Sequence, residues 1–370
     1  RRGKNRYRTT STDSERRSRG APPGTAGARI RTSWSTPRPS ARSATNAGVP
    51  SPVRAGNVEV RTSTRGLGIG WESRRKGAVA KIKVYDISVV GSAGFLGSAV
   101  ARIARSEGRR VAEFGRSRPL VSDGILDTDA ASSGHLVWAA GSLSPVLAHE
   151  RPDLVEDELD DFRRVLDAVS AASPNQHVVL LGSGGTAYDI QDPAPHSETS
   201  PVGPSSAYGR YKVAQEDVLR ASGLSHTVLR VANAYGPGQK GARGQGVLAF
   251  WMRAILQGES IKLLGSPEVA RDYVYVDDVA RAVTAVAGTD AAPALLNVGS
   301  GVPTSLGELL SVLRSTVGDS HPFDVEQLPA RGVDVPSTWL DVSEAAQTIG
   351  WEARTPLAEG IRLMWNWLAE

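Results

Sequence analysis

The chain has 370 residues, with 43 Lys+Arg against 39 Asp+Glu and no cysteine. The lack of Cys excludes disulfides, thiolate metal ligands and cysteine nucleophiles. No apolar run approaches the roughly 18–20 residues that span a bilayer. Charge divides the chain into two unequal parts: residues 1–80 hold 18 Lys+Arg against 4 Asp+Glu, a net of +14, and residues 81–370 hold 25 against 35, a net of −10.

The first 80 residues are rich in Arg, Ser, Thr, Pro and Gly and show no sustained apolar periodicity. Such a segment buries too little apolar surface to offset its ordering entropy, so a disordered basic tail is predicted. The chain opens on Arg1 rather than Met, and three readings of the tail stay open. It is an upstream or mis-started stretch, an Arg- and Ser-rich transit peptide, or a nucleic-acid-binding arm, the last without aromatic interleaving. The run Gly66-Leu67-Gly68-Ile69-Gly70 has no strand before it and no helix after it, and is discounted. Because the basic pI belongs to the tail, no nucleic-acid partner is expected for the rest. The remaining 290 residues suffice for one large α/β domain or two fused lobes. A soluble, cytoplasmic protein with no membrane partner is expected.

Ile87-Ser88-Val89-Val90 reads as a buried parallel strand. It leads into Gly91-Ser92-Ala93-Gly94-Phe95-Leu96-Gly97, after which Leu96, Val100, Ile103 and Ala104 recur at helical spacing until Gly108. Strand, glycine-rich turn and helix form a dinucleotide cradle. Gly91 permits the tight turn, Gly94 lets backbone approach a pyrophosphate, and Gly97 lets the helix pack on the strand. The helix N-terminus offers its N–H groups to the phosphates. The next strand, Arg110 to Phe114, ends at Gly115-Arg116-Ser117-Arg118, where a carboxylate would read the adenosine ribose and an Arg would accommodate a 2′-phosphate. NAD is the expected cofactor, and Arg116 makes NADP plausible.

Leu136-Val137-Trp138-Ala139-Ala140-Gly141 is a third strand with small residues at its end. Val178-Val179-Leu180-Leu181 is a fourth and runs into Gly182-Ser183-Gly184-Gly185-Thr186-Ala187-Tyr188. Farther on stands Tyr208-Gly209-Arg210-Tyr211-Lys212. Tyr208 and Lys212 are four apart in a predicted helix and therefore share a face. An ammonium beside a phenol favours the phenolate, which suits proton transfer near neutral pH.

With its Gly-x-x-Gly-x-x-Gly spacing and these landmarks in order, the chain resembles the extended short-chain dehydrogenase/reductases, specifically the nucleotide-sugar epimerase/dehydratase family, over roughly residues 82–370. The resemblance implies that Gly91, Ala93, Gly94, Phe95, Leu96, Gly97, Arg116, Ala139, Ala140, Gly141, Tyr208 and Lys212 bind the cofactor. It implies that Tyr208 removes a sugar hydroxyl proton as the adjacent C–H yields hydride, with Lys212 bonding the nicotinamide ribose. A hydroxyl at the strand tip would assist Tyr208. The usual position is Gly184 here, so Ser183 is the first candidate and Thr186 the second. The dehydratase Asp-Glu pair, the Cys–His pair and the decarboxylating Glu of other relatives are absent from this turn or this chain. Tyr211, where relatives often have Ser, receives no role.

The resemblance continues through Thr227 to Pro237, where Asn233 would bond the donor, and through Ala270-Arg271-Asp272-Tyr273 to Asp277-Asp278-Val279. Arg271, and Arg331 in Arg331-Gly332-Val333-Asp334, would bind a diphosphate. Asp272 and Asp278 are read as structural braces, and Ser305 and Glu308 as a capping box. No metal site is expected.

The expected fold is α/β: a Rossmann-type doubly wound parallel sheet over residues 81–235 and a smaller C-terminal substrate-binding lobe over 236–370, with 270–299 partly returning to the sheet. The expected partner is a nucleoside-diphosphate sugar, and the resemblance implies a homodimer. The implied function is C4 epimerisation of a UDP-sugar through a 4-keto intermediate. An NADPH-dependent 4-keto-sugar reductase and a non-catalytic dinucleotide-binding sensor are the alternatives.

Overall fold

The computed structural model describes residues 84–241, 246–330 and 337–370. The predicted tail with its glycine run, and Arg331 and Asp334, lie outside these residues.

Short, continuously apolar strands alternate with amphipathic helices. Along the first part these are β1 (Ile87–Val90), α1 (Phe95–Ser106), β2 (Val111–Phe114), β3 (His135–Trp138), α2 (Pro145–Glu150), α3 (Pro152–Ala172), β4 (His177–Ser183), α4 (Ala207–Ala221) and β5 (His226–Val231). There follow β6 (Asn233–Tyr235), α5 (Val247–Leu256), β7 (Ile261–Leu264), β8 (Ala270–Tyr275), α6 (Val276–Val286), β9 (Leu295–Val298), β10 (Pro303–Ser305), α7 (Leu306–Val317), β11 (Val325–Leu328), α8 (Ser343–Ile349) and α9 (Leu357–Ala369).

Six strands form one sheet in the order β9-β5-β4-β3-β1-β2, and every pairing is parallel. All four residues of β1 are buried. This is the pattern of a strand covered on both faces, and it explains why β1 carries no polar–apolar alternation. On one face α1 and α6 bury Val100, Ile103, Ala104, Val279 and Val283. On the other, α3 buries Phe162, Leu166 and Val169 in a cluster with Leu136, Trp138, Val178 and Leu180. The Trp138 and Phe162 rings lie 4.7 Å apart. Full burial of a side chain of this size stabilises by about 1.5–3 kcal/mol.

The strand order reverses between β1 and β3, which lie side by side with Val90 opposite Trp138. Such a switch point leaves a crevice beyond the carboxyl ends of the strands, where α/β sheets bind ligands. The rest of the chain adds a three-stranded piece, β10-β8-β6, and a two-stranded piece, β11-β7. Leu295–Val298 returns to the edge of the large sheet beside β5. The Ser305/Glu308 capping box is formed and starts α7. Among the described residues, no helix is long and apolar enough to cross a membrane.

Candidate active site

The crevice is lined by glycines whose missing side chains define it. Gly91 has a φ of +83°, and a Cβ there would lie 2.8 Å from the Ala139 carbonyl oxygen and the Ala140 nitrogen. The Gly91 N–H donates to the Phe114 carbonyl at 2.9 Å, and Gly94 N–H to the Gly91 carbonyl at 2.9 Å. A Cβ at Gly97 would run into the Gly91 carbonyl, so this glycine is what lets α1 pack on the turn. No side chain caps the N-terminus of α1. Its free N–H groups and positive dipole end therefore suit an anionic group. Ala93 and Gly94 are exposed and Phe95, Leu96, Ala139 and Ala140 half-buried, as residues flanking a ligand would be. A cradle that side chains would fill, beside an uncapped helix end, fits a dinucleotide.

At the end of β2, Arg118 donates to Asp127 and Asp129 at 2.9 and 2.8 Å and lies over the Phe114 ring. It is committed to structure. Arg116 is exposed and is the cation that the β2 end presents to solvent.

The β4 tip and α4 meet across the crevice. Ser206 caps α4, its Oγ accepting the Gly209 N–H at 3.0 Å, which puts Tyr208 in the first turn and Lys212 one turn later on the same face. Gly209 has a packing reason of its own: a Cβ there would run into the Thr186 carbonyl. That contact brings the first turn of α4 against the Ser183–Thr186 turn. Thr186 Oγ1 donates to Ser183 Oγ at 2.9 Å, leaving the Ser183 proton free to be given elsewhere. Gly184 is buried, and a Cβ on it would lie 2.6 Å from Leu340 Cδ1 and 2.9 Å from the Arg230 carbonyl. No hydroxyl-bearing side chain fits there.

Lys212 is buried at 8 % exposure, and its Nζ donates to Gln215 Oε1 at 2.9 Å. Burial lowers its pKa to about 8, against the opposing charges of Glu158 and Glu216.

On the other wall, Asn233 Nδ2 donates to the Asp272 carbonyl at 3.0 Å and lies 3.9 Å from where a Gly185 Cβ would be. The parallel register sets Asn233 opposite Tyr273, two residues from Arg271. Arg271 is half-buried, its Nη1 bonds the Ala270 carbonyl at 2.8 Å, and burial lowers its pKa. Asp272 is a brace: its oxygens accept from Ser300 N and Oγ at 2.7 Å and from Gly301 N at 3.1 Å. Asp278, fully buried, accepts from Arg281 and Thr355 N. Close approaches at glycines thus bring the glycine turn against Ala139 and Ala140, the first turn of α4, which carries Tyr208, against the Ser183–Thr186 turn, and Asn233 beside Gly185. Among the described residues, no cluster of His, Cys, Asp and Glu could hold a metal ion.

Two polar residues at this crevice carry no motif signal. Tyr211 is 2 % exposed and donates to Glu158 Oε2 of α3 at 2.5 Å. In the sequence, Glu158 is one carboxylate among several on a charged helix.

A family profile described as the NAD dependent epimerase/dehydratase family matches residues 87–299, from β1 to the end of β9. The chain belongs to that family. It is 32 % identical over 301 residues to a UDP-glucose 4-epimerase of Mycolicibacterium smegmatis, covering 74 % of this chain and 95 % of the relative. Among solved structures it is similar to the UDP-glucose 4-epimerase of Thermotoga maritima with UDP-glucose, at a TM-score of 0.68 and 26 % identity, over 76 % of this chain and 98 % of that one. The Thermus thermophilus UDP-glucose 4-epimerase in complex with NAD gives a TM-score of 0.66, 26 % identity and the same coverage. The chain is accordingly an NAD-dependent enzyme of this family.

Proposed function

We propose that this enzyme interconverts the C4 epimers of a UDP-sugar. The observation that carries the reading is the packing of the first turn of α4, which carries Tyr208, against the Ser183–Thr186 turn, where Gly209 abuts the Thr186 carbonyl. The similar proteins named UDP-glucose 4-epimerases support the substrate class.

When bound, NAD would supply the reversible hydride chemistry at the sugar carbon. The other roles belong to the chain. Tyr208 accepts the C4 hydroxyl proton and gives it back, and the Lys212 ammonium favours its phenolate form. Ser183, accepting from Thr186, directs its own proton to the same sugar oxygen. Arg271 and Arg331 hold the nucleotide's diphosphate, with Arg guanidinium suited to two oxygens at once, and Asn233 bonds a phosphate or sugar oxygen of the donor. The diphosphate anchor lets the sugar ring turn over between the two transfers. A homodimer in the cytoplasm completes the reading, and light scattering on the purified protein tests the assembly.

One observation favours a second reading, a 4-keto-sugar reductase consuming NADPH: the β2 end has no carboxylate at residues 115–118 and presents the exposed Arg116. A panel of UDP-, dTDP- and GDP-sugars separates the two, with cofactor absorbance and product stereochemistry followed together. Epimerisation without net cofactor consumption is expected. Stoichiometric loss of NADPH with one product would establish the reductase instead.

A further inference from the structure

Beside the Tyr208/Lys212 turn lies a polar network that the proton transfer does not itself use. Glu158 accepts from the Tyr211 hydroxyl through Oε2 at 2.5 Å, and from Ser142 N at 2.7 Å and Ser142 Oγ at 2.5 Å through Oε1. Ser142 directly follows the strand-end residues 139–141. A Cβ at Gly141 would lie 3.7 Å from the Tyr211 hydroxyl and 3.8 Å from Glu158 Oε2. One carboxylate therefore joins the cofactor side of β3 to the residue that precedes Lys212.

The charges around Lys212 are few. Glu158 from α3 and Glu216 from α4 are the charged groups that favour its ammonium. Glu216 is engaged by the Arg230 guanidinium of β5, at 3.0 and 2.7 Å. The three groups bonding Glu158 are neutral. Tyr211 itself stays a donor, because burial first and Glu158 second push its phenol far above the usual range.

We propose that Glu158, held by Tyr211 and Ser142, is a positioning residue that fastens the 139–142 strand end to α4 and sets a negative counter-charge near Lys212, whose Nζ lies 5.6 Å from the centre of the Tyr211 ring. This rests on the assignment of Tyr208 and Lys212 as the proton-transfer pair. Its consequence is a defined alkaline limit. Lys212 is charged below about pH 8 and neutral above it, so turnover falls as pH rises through that value. Removing the Glu158 charge moves the fall to lower pH, since less then opposes the desolvation of the ammonium.

The test compares wild type, Glu158→Gln and Tyr211→Phe in two measurements: the pH profile of kcat with a UDP-sugar substrate, and NAD affinity by calorimetry. For Glu158→Gln the alkaline limb is expected to shift down by about one pH unit, with NAD bound several-fold more weakly. Tyr211→Phe keeps the charge but frees it, so a smaller shift in the same direction is expected, and this variant decides if Glu158→Gln does not fold. Limbs coincident with wild type would overturn the proposal even if rate or melting temperature fell, because a merely structural role lowers the rate equally at every pH. Tyr208→Phe run alongside separates the two levels. Full turnover in that variant overturns the underlying assignment, whereas loss of turnover with unmoved limbs overturns only the role of Glu158.

Discussion

At position 184 the backbone leaves no space for a side chain, with Leu340 Cδ1 and the Arg230 carbonyl where a Cβ would stand. The nearby hydroxyls are those of Ser183 and Thr186, where Thr186 donates to Ser183. If Ser183 gives its proton to the substrate oxygen, Ser183→Ala lowers kcat by about 10²-fold, the usual cost of losing one positioned donor. Thr186→Val only disorients that donor and costs less than Ser183→Ala. Steady-state kinetics checks the pair, and equal losses would contradict the order of roles. The sequence left both hydroxyls open, since spacing along a turn does not reveal which of two hydroxyls donates to the other. Tyr211 was illegible for another reason: its partner Glu158 is 53 residues away, and no local pattern connects them.

At the scale of elements, α4 is tied to the sheet behind the crevice by Arg230 and Glu216, whose side chains are 2 % and 1 % exposed. The guanidinium also lies 4.7 Å over the Tyr188 ring. Removing one member leaves the other charge buried without its counter-ion. Glu216→Ala is thus expected to cost about 3–5 kcal/mol of stability, measured by urea unfolding. A loss below about 1 kcal/mol, the worth of an exposed pair, would mean the pair does not brace the helix. The parallel strands were legible from their unbroken apolar runs, because burial on both faces removes polar residues. α1 was legible from its apolar spacing and from Gly108, whose φ is +80°. The short pairings β6–β8 and β7–β11 were not, since three or four residues carry too little periodicity to mark a strand.

Over the whole molecule, charge and chemistry are segregated. The basic excess lies in residues 1–80, whereas the family match begins at residue 87 and every candidate site residue lies downstream. Deleting residues 1–80 is therefore expected to leave kcat/KM unchanged, and a large loss in the truncated enzyme would assign the tail a part in catalysis. The doubly wound order was foreseeable from the glycine turn and the chain of strands. The crevice walls required the fold, since Gly91 meets Ala139 and Gly209 meets Thr186 only once distant segments pack. The proposed chemistry turns on Tyr208. The most direct test is turnover of a UDP-sugar by Tyr208→Phe, with NAD binding measured on the same preparation. The expected result is a fall of about 10²–10⁴-fold in kcat with NAD still bound; epimerisation by that variant at the wild-type rate would contradict the account.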